Sequence, residues 1–255
     1  MGIESGTVSR QGGIQSVNRA VQILKCLEDV DALSLAEISR MTGLHKSTAF
    51  GLVSTLENNS FLEQDKATGK YRLGVELFRL GSRVNMDLRR IAAASLDMLA
   101  ERTGETVNFA VPDGDCVVYM DKRESIHTMR IAPDLGRRRP MFNVATGKSI
   151  LAAMPENEAL AILSRTDFIP YTDRTPRSVE AVLAQLREVR RRGYAINRQE
   201  LEYDRVGIAA SICDFSGKPV AAVSIAGPVS RMDEEICARH ARYVMDCARE
   251  ISRKL

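Results

Sequence analysis

The chain has 255 residues, of which 44% are hydrophobic and 27% are charged, and its formal net charge is +3. This composition excludes a disordered chain, which would combine few apolar residues with a large net charge, and it excludes a histone-like polycation. No apolar run reaches the roughly 18 residues that a membrane span needs, so we expect no membrane partner. The five cysteines are widely spaced without a C-x-x-C pair. We therefore expect a cytoplasmic protein with no disulfide framework, no metal site and no cofactor.

The N-terminal part of the sequence predicts short helices followed by a hairpin. Residues 1–13 contain no apolar segment, and we interpret them as a disordered lead-in rather than a secretory signal. Residues 14–84 then follow the order of a winged helix-turn-helix domain. The predicted elements are a helix over 16–29, a helix opened by the capping box Ser34–Glu37, a turn over 41–44, a helix over 45–58, and strands over 61–64 and 71–73.

After the hairpin two further helices are predicted, and from residue 106 onward the pattern changes. A short helix is predicted over 75–83, and residues 85–103 predict a linker helix with an apolar stripe. Residues 104–255 predict strands and helices that do not alternate one for one, so we expect an α+β domain with an antiparallel sheet flanked by helices. Its predicted elements are strands over 107–111, 116–120, 194–197, 208–213 and 220–226, and helices over 145–154, 156–163, 178–192 and 233–255.

The helix over 45–58 begins with residues that suit DNA. In a helix-turn-helix the second helix enters the major groove, and short hydroxyls, a lysine and free amides at its start suit phosphates and base edges. The alternative is an ordinary polar helix start with one exposed aromatic. The order of turn, helix and hairpin favours DNA binding. The candidate contacts are His45, Lys46, Ser47, Thr48 and Phe50 on the helix and Lys66, Lys70 and Arg72 on the hairpin.

The charge of this region predicts self-association. Residues 1–85 hold ten lysines and arginines against nine acidic residues, so one copy carries little net attraction for DNA. Two or more copies would be needed for useful affinity, and a palindromic operator would match their symmetry.

Two features of the C-terminal part admit more than one interpretation. The run Thr146–Ser149 resembles the end of a phosphate-binding loop, but Phe142 stands where that motif needs glycine, so nucleotide binding is disfavoured. Small residues along the strands, with the Ser224 hydroxyl among them, indicate either a pocket over the sheet or a closely packed helix. The basic residues of 122–139 indicate either a solvated loop or an arginine that recognises a carboxylate.

The sequence as a whole resembles the IclR family of bacterial transcriptional regulators. The stretches that carry the resemblance are 16–24, 44–48, 145–152 and 202–231. The resemblance implies a winged helix-turn-helix, a linker helix, a GAF-like effector domain, and dimers or tetramers on palindromic double-stranded DNA. It also implies a small-molecule effector such as an organic acid, which would modulate operator binding, and we expect a repressor.

The same resemblance implies where the effector would bind. Its implied lining consists of Ile131, Arg139, Ala145, Thr146, Asn197, Gly207, Ser224 and Ala226. Asn197 stands where relatives have an acid, and Gly207 and Ala226 stand where they have a polar residue and a serine. We therefore expect a roomier and less polar pocket, with Arg139 adding a cation for a larger acidic effector. Relatives often carry arginine where this chain has Gly51, which places more of the DNA contact on Lys46 and the hairpin.

Two alternatives remain open. Cys116 and Cys213 lie on strands predicted to be neighbours, so the same scaffold could be a redox or metal sensor. The other alternative is an enzyme with an appended DNA-binding domain, against which stands the lack of a recognisable nucleophile–base pair.

Overall fold

The chain folds into two compact units that divide after Met86. The structure is a computed structural model, and it describes residues 13–83, 86–128 and 134–255. The predicted lead-in over 1–13 therefore lies outside the described residues, apart from Gly13. Among the described helices, none combines the length and the apolar composition that crossing a bilayer requires.

The first unit begins with three helices, α1 (Gln15–Lys25), α2 (Leu35–Thr42) and α3 (Lys46–Asn58). Each contributes apolar residues at helical spacing to one small core. That core is formed by Ile23, Leu27, Leu33, Ile38, Val53, Leu62 and Tyr71. The three-helix arrangement thus follows from the apolar periodicity of the sequence.

Both ends of α2 follow from local chemistry. The Ser34 hydroxyl accepts a hydrogen bond from the Glu37 amide, and the Glu37 carboxylate accepts one from the Ser34 amide at 2.8 Å. The helix ends at Gly43, whose φ of +66° is unstrained only for glycine. This left-handed residue turns the chain sharply into α3, and α2 and α3 together form the helix-turn-helix.

A small sheet and a short helix complete the first unit. Strands β1 (Leu62–Gln64) and β2 (Tyr71–Leu73) pair antiparallel. The next residue, Gly74, passes so close to the chain that a Cβ there would lie 2.1 Å from the Ser60 carbonyl oxygen. Helix α4 (Val75–Gly81) follows.

The second unit is built on a six-stranded antiparallel sheet with the order β5-β4-β3-β8-β7-β6. The strands are β3 (Thr106–Asp113), β4 (Cys116–Arg123), β5 (Arg138–Pro140), β6 (Ala195–Arg198), β7 (Arg205–Cys213) and β8 (Pro219–Pro228). The helices are α5 (Met86–Thr103), α6 (Ala145–Ala153), α7 (Glu156–Leu163), α8 (Val179–Arg192) and α9 (Glu234–Ser252). The prediction of an α+β fold with an antiparallel sheet is confirmed.

Helices cover both faces of this sheet because successive strand residues point to opposite sides. One face packs against α5 and α9, with Phe109 and Ile208 at its centre. The other face packs against α6 and α8, with Ala209 and Ala222 among its residues. Small side chains on the second face let α6 lie close to the sheet.

The helix predicted as a linker packs within the second unit. Its buried residues Ala92, Leu96 and Leu99 belong to the core beneath the sheet, and Leu88 and Ile91 pack against that core. The sheet and α9 therefore cover the apolar stripe of this helix.

Candidate DNA interface and ligand cavity

The start of α3 presents an exposed polar surface. His45, Lys46, Ser47 and Thr48 are exposed, and so is Phe50, four residues after Lys46. Ala49 and Val53 point inward and anchor the helix in the core of the first unit. The apolar side of α3 thus fixes the helix while its first turn faces solvent.

Backbone donors at this helix start are free for a ligand. No side chain caps the first turn, and the earliest backbone bond to His45 comes from the Ala49 amide at 3.0 Å. The amides of residues 46–48 consequently lack acceptors within the helix. The His45 ring nitrogen Nδ1 lies 3.0 Å from the Ser47 hydroxyl. Free amides at a helix N-terminus favour a negative charge, such as a phosphate.

The turn between β1 and β2, which we call the wing, carries two exposed lysines. The Asp65 carboxylate accepts from the Ala67 amide at 2.8 Å and from the Thr68 hydroxyl at 3.0 Å, which fixes the turn. Lys66 and Lys70 are exposed beside these residues. Within the described part of the chain, neither ammonium group forms an ion pair.

Arg72 is a weaker candidate for a DNA contact than the sequence indicated. Its guanidinium donates to both oxygens of Glu63, at 2.8 and 3.3 Å. This hydrogen bonding lowers the pKa of Glu63 and raises the pKa of Arg72. The pair carries no net charge, so Arg72 adds less attraction for phosphate than either wing lysine.

In the second unit, a small cavity lies between the start of α6 and the sheet. Its volume is about 20 Å³, which is close to the space that one water molecule needs. It is lined by Tyr119, Val144, Ala145, Thr146, Asn197, Leu201, Arg205, Gly207, Ser224, Ile225 and Ala226. Six of the eight residues predicted from the sequence, Asn197 among them, therefore come together around one cavity. The roomier pocket implied by the resemblance stays a prediction, because in this conformation α6 and Leu201 leave little space over the sheet.

The start of α6 offers unpaired hydrogen-bond donors to this cavity. Val144 precedes the helix without a side-chain cap, and the Lys148 amide makes the earliest bond back to the Val144 carbonyl, at 3.0 Å. The amides of residues 145–147 therefore have no acceptor in the helix. The Thr146 hydroxyl is buried and unpartnered in the same place. This combination suits an anionic or strongly hydrogen-bonding ligand.

Glycine at two positions determines the shape of the cavity. A Cβ on Gly147 would lie 2.3 Å from the Met141 Cα, so only glycine lets α6 approach the turn formed by residues 141–143. A Cβ on Gly207 would lie 3.6 Å from the Ala145 Cβ, which is an ordinary contact. Gly147 is thus required for packing, whereas Gly207 leaves open space over the sheet.

Two buried asparagines beside the cavity lack hydrogen-bond partners. Both side-chain polar atoms of Asn108 and of Asn143 are buried without a partner in the described structure. Asn108 lies directly opposite Ser224 in the β3–β8 register. The Asn197 side chain, by contrast, donates to the backbone carbonyl of Asn143 and accepts from the backbone amide of Glu200 at 3.1 Å. Asn197 therefore supports the cavity wall, while Asn108 and Asn143 leave polar groups that a ligand or water would satisfy.

Lys148 is a buried structural residue rather than a phosphate ligand. Its ammonium lies 2.6 and 2.8 Å from the Glu200 carboxylate oxygens. It also donates to the Gln185 side chain at 3.1 Å and the Ile196 carbonyl at 3.2 Å. Burial lowers the pKa of Lys148, and the adjacent Glu200 carboxylate opposes that effect. These bonds tie α6 to α8, to β6 and to Glu200, so the Lys148 ammonium is already engaged within the protein.

Arg139 does not line the cavity, although the sequence indicated that it would. Its guanidinium Nη2 lies 3.5 Å from a carboxylate oxygen of Glu202. The cation that does line the cavity is Arg205, whose Nη1 lies 3.4 Å from the other oxygen of Glu202. Sequence reasoning missed Arg205 because β7 was predicted to begin at Ile208. The remaining predicted residue, Ile131, lies outside the described residues.

The strand order contradicts the predicted neighbour relation of Cys116 and Cys213, on which the redox alternative was based. Strands β4 and β7, which carry Cys116 and Cys213, are separated by β3 and β8 rather than adjacent. Three strand spacings amount to about 14 Å, whereas a disulfide needs Cα atoms within about 7 Å. Burial raises the pKa of both thiols, which disfavours the reactive thiolate. In the described ranges, no cluster of three His, Cys, Asp or Glu residues is placed to hold a metal ion.

Comparison with known families identifies both units. Residues 16–66 match the IclR helix-turn-helix domain, and residues 82–253 match the C-terminal domain of bacterial transcriptional regulators of the IclR type. The HTH-type transcriptional regulator XynR of Escherichia coli is 33% identical over 95% of this chain and 97% of its own. The HTH-type transcriptional repressor AllR of Escherichia coli is 32% identical over 96% of this chain and 92% of its own.

Solved structures agree with these matches. The Thermotoga maritima IclR structure has a TM-score of 0.75 and 32% identity, covering 94% of this chain and 98% of its own. An IclR homologue from Microbacterium hydrocarbonoxydans, complexed with 4-hydroxybenzoate, has a TM-score of 0.81 and 25% identity, covering 94% of this chain and 98% of its own. The complex shows that a protein of this architecture holds a small aromatic acid.

Proposed function

The chain belongs to the IclR family of bacterial transcriptional regulators, and on that premise we propose that α3 and the wing bind double-stranded operator DNA. The observation that carries this proposal is the exposed start of α3, where free amides lie beside Lys46 and two hydroxyls. Lys66 and Lys70 on the wing would contact the flanking phosphates. Phe50 stands where an aromatic ring can touch a thymine methyl group.

Replacing Lys46 tests this interface. Lys46→Ala should weaken operator binding and lower the salt dependence of the binding constant by about one unit, because one phosphate contact is lost. The measurement is fluorescence anisotropy of labelled operator DNA at several salt concentrations. Lys218→Ala is the matched control, because Lys218 is an exposed lysine in a turn of the second unit. A Lys46→Ala protein with unchanged affinity and salt dependence would place this lysine outside the interface.

We propose that the cavity in the second unit binds a small carboxylic acid that modulates operator binding. The support is the convergence of free α6 amides, the unpartnered Thr146 hydroxyl and Ser224 on one cavity. A carboxylate would accept from the amides with charge-assisted bonds. Since the cavity admits about one water in this conformation, binding requires Leu201 or α6 to move. The 4-hydroxybenzoate complex of the Microbacterium homologue supports an acid of similar size.

Narrowing the cavity tests this assignment once a thermal-shift screen of carboxylic acids has identified an effector. Gly207→Ala adds a methyl group that the structure accommodates, so folding should persist while effector affinity falls at least tenfold. Operator binding without effector should stay unchanged. Ser224→Leu should block the effector more completely. Gly81→Ala is the control, because nothing lies near that Cβ position. An unchanged effector concentration for half-response in Gly207→Ala would place the pocket elsewhere.

We further propose a repressor that acts as a dimer or tetramer on a palindromic operator. Several relatives, among them AllR of Escherichia coli, are transcriptional repressors, which supports the direction of regulation. XynR and AllR are transcriptional regulators, which supports a role without turnover.

A further inference from the structure

Beside the effector cavity, two arginines converge on a carboxylate of the chain itself. Arg205 Nη1 lies 3.4 Å from Glu202 Oε2, and Arg139 Nη2 lies 3.5 Å from Glu202 Oε1. The side chains of Arg139 and Arg205 are 18% and 12% exposed, whereas that of Glu202 is 49% exposed. The two arginine side chains are thus mostly buried, whereas Glu202, which pairs with both, is half exposed to solvent.

The geometry of this triplet is loose. Charge-assisted hydrogen bonds between guanidinium and carboxylate groups usually measure about 2.7–2.9 Å. In the same unit, the Arg231 guanidinium donates to both Glu105 oxygens at 2.7 and 2.9 Å. At Glu202 the corresponding distances are longer by at least half an ångström, and the buried Nε of Arg139 has no partner in the described structure. The two guanidinium groups therefore retain donor capacity that Glu202 does not use.

Glu202 belongs to the β6–β7 connection, residues 199–204, which passes over the cavity. The connection is firmly held at its start, where the Gln199 carbonyl accepts from Thr172 at 2.7 Å and Lys148 binds Glu200. Its next residue, Leu201, lines the cavity. Glu202 then fastens the second half of the connection to Arg139 on the opposite edge strand. In a flat sheet β5 and β7 would lie about 19 Å apart, so this contact spans the curled sheet.

We propose that Arg139 and Arg205 form an anion subsite in which Glu202 is an internal competitor, displaced when a carboxylate ligand enters. The ligand carboxylate, which faces the α6 amides in the same cavity, also accepts from the two guanidinium groups, so that Glu202 turns into solvent and the segment carrying Leu201 is released from the cavity. This proposal rests on the effector cavity proposed above and adds the residues that select for negative charge. It also gives the closed cavity a route of opening that requires breaking only a loose, half-exposed ion pair, an interaction worth little in water.

Exchanging Glu202 for its neutral isostere tests the proposal without knowledge of the natural effector. Sodium benzoate and sodium pyruvate serve as carboxylate probes and benzamide as the neutral probe, titrated into the full-length protein by calorimetry at constant ionic strength. Glu202→Gln should bind both carboxylates at least tenfold more tightly than the unaltered protein, with no change for benzamide. The gain should disappear in the double variant Glu202→Gln, Arg205→Met.

The control variant is Glu188→Gln, which removes the same kind of i,i+3 partner from Arg191 on α8, away from the cavity lining. It should behave as the unaltered protein. Equal carboxylate affinities in Glu202→Gln and the unaltered protein, including no binding in either, would overturn the proposal. So would a gain that survives Arg205→Met.

Hydrogen exchange provides a second readout that needs no probe. The amides of residues 201–204 should exchange at least several-fold faster in Glu202→Gln than in the unaltered protein or Glu188→Gln. Unchanged exchange rates of these amides would show that Glu202 does not hold the β6–β7 connection in place, and would overturn the proposed displacement of Glu202 by a ligand. Failure of the effector cavity would appear differently, as an effector response that Gly207→Ala leaves intact.

Discussion

Among the individual residues, His240 connects burial to the pH dependence of stability. Its side chain is 6% exposed, its Nδ1 atom has no partner within the described residues, and its ring packs near Tyr243. Burial lowers the pKa of His240 below its ordinary value of 6.5, the Arg239 charge adds to this, and Glu105 opposes it. Between the lowered pKa and 6.5, the unfolded chain binds more protons than the folded chain.

The free energy of unfolding should therefore decrease as the pH falls below about 6.5, by about 1.4 kcal/mol for each unit by which the pKa is lowered. Urea denaturation between pH 5 and 8 measures this. His240→Gln removes the titrating group, so its unfolding free energy should fall less steeply over the same range. Parallel pH profiles of the two proteins would show that His240 is not responsible.

Among the elements, α6 determines the shape of the cavity, and its position depends on Gly147. A Cβ at Gly147 would lie 2.4 Å from the Met141 carbonyl oxygen, so Gly147→Ala must push α6 away from the preceding turn. Overpacking of this kind lowers the free energy of unfolding by about 1–3 kcal/mol. We expect a value near the upper end of this range, because the added methyl group would meet backbone atoms, which cannot move aside as a side chain can. Chemical denaturation should show a lower free energy of unfolding for Gly147→Ala than for the unaltered protein. Gly51→Ala, in the exposed middle of α3, should instead stabilise by up to about 1 kcal/mol. Equal effects of the two substitutions would contradict this packing.

The sequence predicted the elements whose signals are local. Helix α7 and strand β2 have the predicted bounds, and the capping box and Gly43 define α2 as expected. Strand β5 was not predicted, because Arg138–Pro140 has no apolar alternation and becomes a strand only by pairing with β4. Arg205 and Glu202 were missed for a related reason, since their proximity depends on the curl of the sheet. The prediction that the strands carrying Cys116 and Cys213 are neighbours was wrong, because the order of strands in a sheet depends on contacts between distant parts of the chain.

For the whole molecule, the remaining question is assembly, and the first unit indicates where a second copy would bind. With α5 covered by its own sheet, one apolar stripe that stays uncovered lies on α1 and the residue before it. Ile14, Val17 and Val21 recur on one side of that helix and are 72%, 56% and 44% exposed. Such a stripe is unusual for a helix facing only water, and we propose that a symmetric contact between two copies buries it, which would match the symmetry of a palindromic operator.

We expect a dimer or larger assembly at micromolar concentration in sedimentation velocity, and a shift toward monomer in Val17→Asp. Burying an unpaired carboxylate in an apolar contact is strongly unfavourable, so the dissociation constant should rise at least tenfold. Operator binding should weaken in parallel, because each unit carries nearly balanced charge and one copy alone attracts DNA poorly. Val30→Asp, at an exposed position after α1, should leave assembly unchanged. A monomer in the unaltered protein, both free and bound to operator DNA, would contradict the two-fold arrangement and leave the near-neutral first unit unable to account for binding.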